Sequence, residues 1–346
     1  MLGLLVRRLS MQKEAMFYRP EDGKLRCRLC RHECLISPSK RGICQVRENR
    51  GGKLFSLTYR KAISVAVDPI EKKPFFHFHP GSTSLSIATP GCNFRCLHCQ
   101  NYSISQMVRD HGEIKGDDIS PEEVVATAVR KHCDSISYTY SEPTIFYEYA
   151  YDIAKLAKKE GLANNFVTNG YIGEDALREI SPYLDAANID LKGFTDTFYR
   201  EVCGARLQPV LDSIRLHHEL GIWIEIATLV IPGYNDTNEH FEGIAKFIAS
   251  IDPEIPWHVT RFHPDYKLTE VSSTPAISIR KAREVGLKAE LKYVYEGNIP
   301  GEEREDTYCP KCNTLLIKRF GFAVMNNRIT DGKCPKCGTK IAGKMQ

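Results

Sequence analysis

Along the middle of the chain, short runs of β-branched and apolar residues alternate with longer stretches in which apolar positions recur every three to four residues. That alternation is the signature of parallel β/α construction. The strand-like runs are SLSIAT (84–89), SISYTY (135–140), LANNFVT ending at Thr168, AANIDLK ending at Lys192, WIEIATLVI (223–231), PWHVTRF ending at Phe262, and LKYVYEG. Between them, PEEVVATAVRKHC places Pro121 in a first helical turn, while TIFYEYAYDIAKLAKKEG and PVLDSIRLHHELG end on Gly161 and Gly221, residues that stop helices. Six or seven such units predict a partial or complete barrel, with a doubly wound sheet as the competing arrangement. In either, functional groups gather at the C-terminal ends of the strands.

The flanks read differently. Residues 1 to about 24 carry helix formers in RRLSMQKEAMF and then Pro20, Asp22 and Gly23, which predicts a short helical or frayed lead-in. KLFSLTY and AISVAVD run in β-formers and predict a hairpin or edge strands ahead of the main body. Pro300, Gly301 and the charged stretch EEREDT read as a linker to a small C-terminal module. The predicted division is a Cys-rich N-terminal extension over 1–82, a β/α body over 83–300, and a zinc-ribbon or rubredoxin-like module over 301–346.

Composition narrows the class. The 346 residues suit about two domains, or one large α/β domain with additions. With 42% hydrophobic and 26% charged residues, 24 Gly and 18 Pro, neither disorder nor collagen is in question. The apolar start at Leu4, Leu5 and Val6 meets Arg7 and Arg8 far short of the ~20 residues of a bilayer crossing. No small-residue cleavage site follows, so a cytoplasmic protein without a membrane partner is expected. The net charge of +4 comes from scattered basic groups, so no nucleic-acid partner is expected.

The cysteines carry the chemistry. There are thirteen, eleven of them in three tight clusters, and an odd number without a secretory signal points to metal binding rather than a disulfide framework. In TPGCNFRCLHCQN, Cys92, Cys96 and Cys99 lie in C-x3-C-x2-C on the loop after the first barrel strand. Three thiolates leave one iron of a [4Fe–4S] cube open to another ligand, whereas a structural zinc site is closed by four; zinc with His98 or His111 as fourth ligand is the competing reading. At the C-terminus the knuckles CPKC and CPKCG present Cys309, Cys312, Cys334 and Cys337, a zinc ribbon or a rubredoxin-like iron centre. Near the N-terminus Cys27, Cys30, Cys34 and Cys44 form C-x2-C-x3-C-x9-C. Zinc or another single ion, an auxiliary iron–sulfur cluster and free thiols all fit, with His32 as an alternative ligand. Cys133 and Cys203 read as packing residues, the Gly-Ala-Arg after Cys203 as a segment able to line a cavity, and His77 and His79 in FFHFHPG as a folded edge.

C-x3-C-x2-C at a strand end resembles the radical S-adenosylmethionine (SAM) superfamily, and further strings match in order. His98 stands where an aromatic residue lies by the SAM adenine. YTYSEPT puts Ser141 and Glu142 where GGE holds the SAM amino group. FVTNG supplies Thr168, Asn169 and Gly170 as in the TNG of glycyl-radical activating enzymes, with Val167 in place of their Asp. NIDLKG supplies Asp190 and Lys192, matching a DLK motif near the SAM ribose and carboxylate. TLVIPGYND resembles a segment that backs the adenine, and RFHPD sets His263 where those enzymes have a His near SAM. Taken whole, DPIEKKPFFHFHPGS, TPGCNFRCLHCQNYSISQ, YTYSEPTIFYEY and YVYEGNIPG resemble the radical SAM enzymes of the AmmeMemoRadiSam system, relatives of pyruvate formate-lyase activating enzymes.

The resemblance implies a partial (β/α)6-type radical SAM barrel with Cys92, Cys96 and Cys99 on a [4Fe–4S] cluster. His98, Ser141, Glu142, Asn169, Asp190, Lys192 and His263 would contact SAM. The implied reaction is one-electron cleavage of SAM to methionine and a 5′-deoxyadenosyl radical, which abstracts hydrogen from a substrate the sequence does not name. Implied partners are a low-potential electron donor such as ferredoxin or flavodoxin, and Memo-like and AMMECR-type proteins. A glycyl-radical activase and a non-catalytic zinc-ribbon binding protein are the alternatives.

Overall fold

The computed structural model describes residues 13–299 and 305–345. Its centre is an eight-stranded sheet built from β1 (Ser64–Pro69), β2 (Thr83–Ala88), β3 (Ser135–Tyr138), β4 (Ala163–Thr168), β5 (Ala186–Asp190), β6 (Trp223–Val230), β7 (Trp257–Arg261) and β8 (Val294–Gly297). These strands lie side by side in chain order. β2 to β8 are parallel throughout, and β1 pairs antiparallel with β2 at the edge. A principal helix links each parallel strand to the next: α1 (Pro121–Arg130), α2 (Tyr147–Lys159), α3 (Glu174–Ile180), α4 (Leu207–Glu219), α5 (Asn238–Ile251) and α6 (Ala276–Lys288). The strand order never reverses, which removes the doubly wound alternative, because such a sheet turns back at a switch point. The ends of all seven parallel strands border one cavity, yet β8 and β1 remain unpaired edges. The architecture is an open (β/α)6 barrel with an extra antiparallel strand along one edge.

Local chemistry explains the elements. β3 is buried at every position and β2 at all but its first, as expected of parallel strands covered on both faces. α1 starts on a reciprocal cap in which Ser120 accepts from the Glu123 amide and Glu123 accepts from the Ser120 amide, with Pro121 at the first turn.

The lead-in is where the expectation fails. From Lys13 onward it forms strands, Lys13–Glu14 against Lys53–Ser56 and Tyr18–Glu21 against Lys24–Cys27; residues 1–12 lie outside the described residues. The reason is the turn. Asp22 and Gly23 both have positive φ, 49° and 71°, the geometry of a two-residue hairpin turn for which Asp-Gly is a preferred pair.

The C-terminal segment forms a three-stranded antiparallel sheet, Thr307–Tyr308, Leu315–Phe320 and Ala323–Asn327. Of the expected linker, residues 300–304 lie outside the described residues, while Asp306 and Thr307 are buried within the module. The module shares a core with the barrel: Phe76, Tyr293 and Tyr295 pack with Leu316, Ile317 and Ile341. His77 is the clasp. Its Nδ1–H donates to the Ala342 carbonyl at 2.7 Å and its Nε2 accepts from the Tyr295 hydroxyl at 2.6 Å. Among the described residues, no helix is long and apolar enough to cross a membrane.

Candidate active site and metal centres

The loop after β2 hangs its three thiols over the barrel mouth, where they line a cavity of about 430 Å³. Each sulfur has a partner that steadies it. The Phe94 amide donates to Cys92 Sγ at 3.3 Å, Ser105 Oγ lies 3.0 Å from Cys99 Sγ, and the neighbouring Cys203 draws the Cys96 thiol down. Cys203 is fully buried, as packing predicts, yet its segment also clamps the loop. The Arg95 and Leu97 amides donate to the carbonyls of Cys203 and Val202, both at 2.9 Å. Burial pushes the thiols of Cys92 and Cys99 up, so holding all three as thiolates requires a cation or cluster among them.

Around the thiols stand nine of the ten residues expected from sequence to serve the cluster or SAM. Glu142 is 1% exposed. Its Oε1 accepts from the Thr144 amide (3.0 Å), Thr144 Oγ1 (2.6 Å) and Thr168 Oγ1 (2.7 Å), and its Oε2 from the Asn169 amide (2.8 Å). Oε2 keeps room for another donor. Asn169 Nδ2 donates to Asn93 Oδ1 at 2.7 Å and so ties the end of β4 to the thiol loop. Lys192 Nζ pairs with Asp190 Oδ2 at 2.7 Å; burial alone would weaken this ammonium, but Asp190 and the neighbouring thiols of Cys96 and Cys203 hold its pKa well above the usual lysine value. Burial, with the charge of Lys192, lowers His98 to about 3, so its imidazole is neutral. Two polar atoms of residues that line this cavity, His98 Nδ1 and Ser141 Oγ, are buried without a hydrogen-bond partner. Three converging thiols beside unpartnered polar atoms fit a polar ligand seated on an iron–sulfur cluster.

His263 is the exception. It is exposed, outside the cavity lining, and reaches Gln100 Nε2 through Nδ1 at 3.2 Å. The TLVIPGYND segment contributes Leu229 to the lining, and its loop is closed by Asn235, whose Nδ2 donates to the carbonyls of Lys192 and Leu229.

Lys72, Lys73 and Tyr140, which also line the cavity, went unread as site residues in the sequence. Asp68 accepts from Lys72, Lys73, Ser86 and the Tyr140 hydroxyl. Burial opposes charge on Asp68, but these donors outweigh it and hold the carboxyl well below its usual range. Burial also lowers Lys73 to about 8, against the pull of Asp68. Tyr140, immediately before Ser141, sits at φ 62°, a strained conformation for an aromatic residue and one that collects at functional sites. His258 Nε2 bonds Glu225 Oε2 at 2.7 Å, and His258, Tyr295 and Glu296 all line the cavity. An FFHFHPG-type string and a strand His offer no spacing rule that would have assembled these residues.

The outer cysteines form two separate groups. At the C-terminus the sulfurs of Cys309, Cys312, Cys334 and Cys337 all lie within 4.8 Å of one another, with Cys309 to Cys337 at 3.6 Å and Cys312 to Cys334 at 3.7 Å. That is close to the about 3.8 Å separation of thiolates around one tetrahedral ion with metal–sulfur bonds of about 2.3 Å. Cys27, Cys30, Cys34 and Cys44 line a second, apolar cavity of their own.

The family comparison decides the class: residues 86–248 match the model of the radical SAM superfamily. Residues 86–248 are a radical SAM domain. The chain is 47% identical over 333 residues to a protein of Methanocaldococcus jannaschii named only as uncharacterized, covering 95% of this chain and 98% of that one. It is 23% identical over 200 residues to the pyruvate formate-lyase-activating enzyme of Clostridium pasteurianum, covering 53% and 81%. A radical SAM methyltransferase from Sphaerobacter thermophilus shares the fold, with a TM-score of 0.51 at 13% identity over 69% of this chain and 71% of that one. A radical SAM domain implies a [4Fe–4S] cluster and SAM, and the C-terminal four cysteines can hold a metal ion.

Proposed function

We propose that this chain is a radical SAM enzyme that takes a hydrogen atom from a substrate seated in the barrel cavity, and that it is the radical SAM member of the AmmeMemoRadiSam system. The observation that carries the catalytic reading is the single cavity in which Cys92, Cys96 and Cys99 meet the unpartnered atoms of His98 and Ser141, the buried Glu142 and the Asp190–Lys192 pair. When bound, the cluster and SAM supply a one-electron reductive cleavage that yields methionine and a 5′-deoxyadenosyl radical. The chain's own residues do the rest. Glu142 Oε2 accepts from the ammonium of the bound amino acid, Lys192 faces its carboxylate, and the neutral His98 packs by the adenine. The buried residues of the lining keep water from a reactive carbon. Lys73, Tyr140, His258 and Glu296 face the substrate side and select a polar substrate.

The strings around FFHFHPG and YVYEGN support the system-level assignment, because they form the junction between barrel and C-terminal module. With it come a low-potential ferredoxin or flavodoxin donor, Memo-like and AMMECR-type partners, and work in the cytoplasm. Val167 in place of an Asp before TNG weighs against a glycyl-radical activase. A binding protein without catalysis leaves the buried charges beside the thiols without a purpose.

The test is anaerobic reconstitution, reduction with dithionite, and measurement of 5′-deoxyadenosine. Wild type is expected to form it and Cys96→Ala to form none. A cluster-loaded wild type without product ends the catalytic reading.

A further inference from the structure

The two outer cysteine groups differ in geometry. Among the described residues, the C-terminal four are the one set of three or more ligands whose donor atoms all fall within 4.8 Å of one another. The N-terminal four do not meet that spacing, although all of them line one cavity. A single tetrahedral ion needs thiolates about 3.8 Å apart. Thiolates of a polynuclear cluster each hold a different iron, or share irons in pairs, and stand around a wider centre.

Burial pushes the thiols of Cys30, Cys34 and Cys44 up, yet the lining also carries groups that would donate to sulfur. The Ile43 amide donates to Cys34 Sγ at 3.4 Å. Arg47, 1% exposed, lines the same cavity. Its Nη2 is spent on Glu148 at 2.6 Å, but its Nε is buried with no partner. An unpartnered guanidinium N–H beside buried thiols needs an acceptor, and neither Leu29, Ile36 nor Ile145 in the lining offers one.

This group also touches the catalytic loop. His32 Nε2–H donates to the Asn93 carbonyl at 2.9 Å, and the Cys44 carbonyl lies 3.4 Å from where a Cβ on Gly91 would sit. Gly91 and Asn93 flank Cys92. We propose that Cys27, Cys30, Cys34 and Cys44 hold a second iron–sulfur cluster, seated against the loop that carries the first.

The test separates it from the barrel cluster. The Cys92→Ala/Cys96→Ala/Cys99→Ala variant, reconstituted anaerobically with iron and sulfide, is expected to retain about two or about four acid-labile sulfides with at least as many irons, and an electron paramagnetic resonance signal on reduction. Adding Cys30→Ser and Cys34→Ser is expected to remove both. A mononuclear C-terminal site contains no inorganic sulfide, so it does not contribute. Should the triple variant fail to fold, the same fall in sulfide is read between otherwise native protein and Cys30→Ser/Cys34→Ser. No sulfide in the triple variant with two zinc ions per chain overturns the inference, as does equal sulfide with and without Cys30 and Cys34. Absence of 5′-deoxyadenosine from wild type with this sulfide intact would sink the proposed function and leave this site standing.

Discussion

Glu142 shows how much work one carboxylate does in this site. Its four protein donors fix the carboxylate plane, and the capacity left on Oε2 points to a cation. Glu142→Gln keeps the shape but removes the charge and sets an NH2 group against donors. A hydrogen bond to a charged group contributes roughly 1.5–3 kcal/mol, so SAM is expected to bind about 10- to 100-fold more weakly, read by equilibrium dialysis on the cluster-loaded variant. An unchanged affinity would remove Glu142 from the SAM site. His77 gives a second residue-level test. Burial lowers it to about 4 from 6.5, with Glu225 pulling the other way and Arg319 and His258 adding to the decrease. Between pH 6.5 and 4 the unfolded chain takes up this proton and the folded chain does not, so stability falls as pH drops through that window, by up to about 3 kcal/mol. Melting temperatures from pH 7 to 4.5 are expected to fall more steeply for wild type than for His77→Gln; parallel slopes would show that other groups dominate. The thiols and Glu142 were legible in the sequence because motif spacing names them. Lys73, Tyr140 and His258 were not, since they come from three separate elements and converge only through the curvature of the sheet.

At the scale of elements, the loop between β2 and α1 depends on Gly91. Its φ is 105°, and a Cβ there would lie 2.8 Å from Val46 Cγ1 and 3.4 Å from the Cys44 carbonyl. Gly91→Ala therefore strains the backbone and pushes two cysteine loops apart at once. The expected cost is about 1–3 kcal/mol, accompanied by a lower iron content per chain after reconstitution. Chemical denaturation and iron analysis read the two effects, and a variant normal in both would mean the loops are not coupled through this contact. The strands of the barrel were readable from pattern, ending within about two residues of where the apolar runs predict. The lead-in was not, because helix-forming side chains in RRLSMQKEAMF mislead where an Asp-Gly turn and pairing with Lys53–Ser56 decide. Local propensity is weak beside a ladder of backbone hydrogen bonds.

For the molecule as a whole, two small Cys-rich segments are sewn onto the barrel by buried polar contacts. The N-terminal one is held by Arg47 and Glu148, both essentially inaccessible and joined at 2.6 Å, a pair whose loss on one side leaves a buried charge. The C-terminal one is held by a relay in which Arg319 donates to Thr307, Thr307 meets the Tyr295 hydroxyl, and Tyr295 donates to His77. Tyr295 and Phe76 also border the catalytic cavity, so loosening the module opens the active site from behind. Cys312→Ser/Cys337→Ser, or treatment with a strong chelator, is expected to make the segment after Asp306 protease-sensitive while the barrel stays folded. Mass spectrometry of limited digests checks it, and an unchanged digest would show that the module does not depend on its metal.

The sequence by itself determined the β/α order, the three cysteine groups and the residues that follow each barrel strand, because these are properties of spacing and period along the chain. Tertiary structure alone decided how far apart the cysteines of each group stand. It also placed Cys203 beside Cys96, left His263 outside the cavity, and brought Lys73 and Tyr140 into one cavity with His258. Those are distances between segments tens to hundreds of residues apart, and they follow from how an open sheet curves and where its edges are covered, which no local pattern encodes.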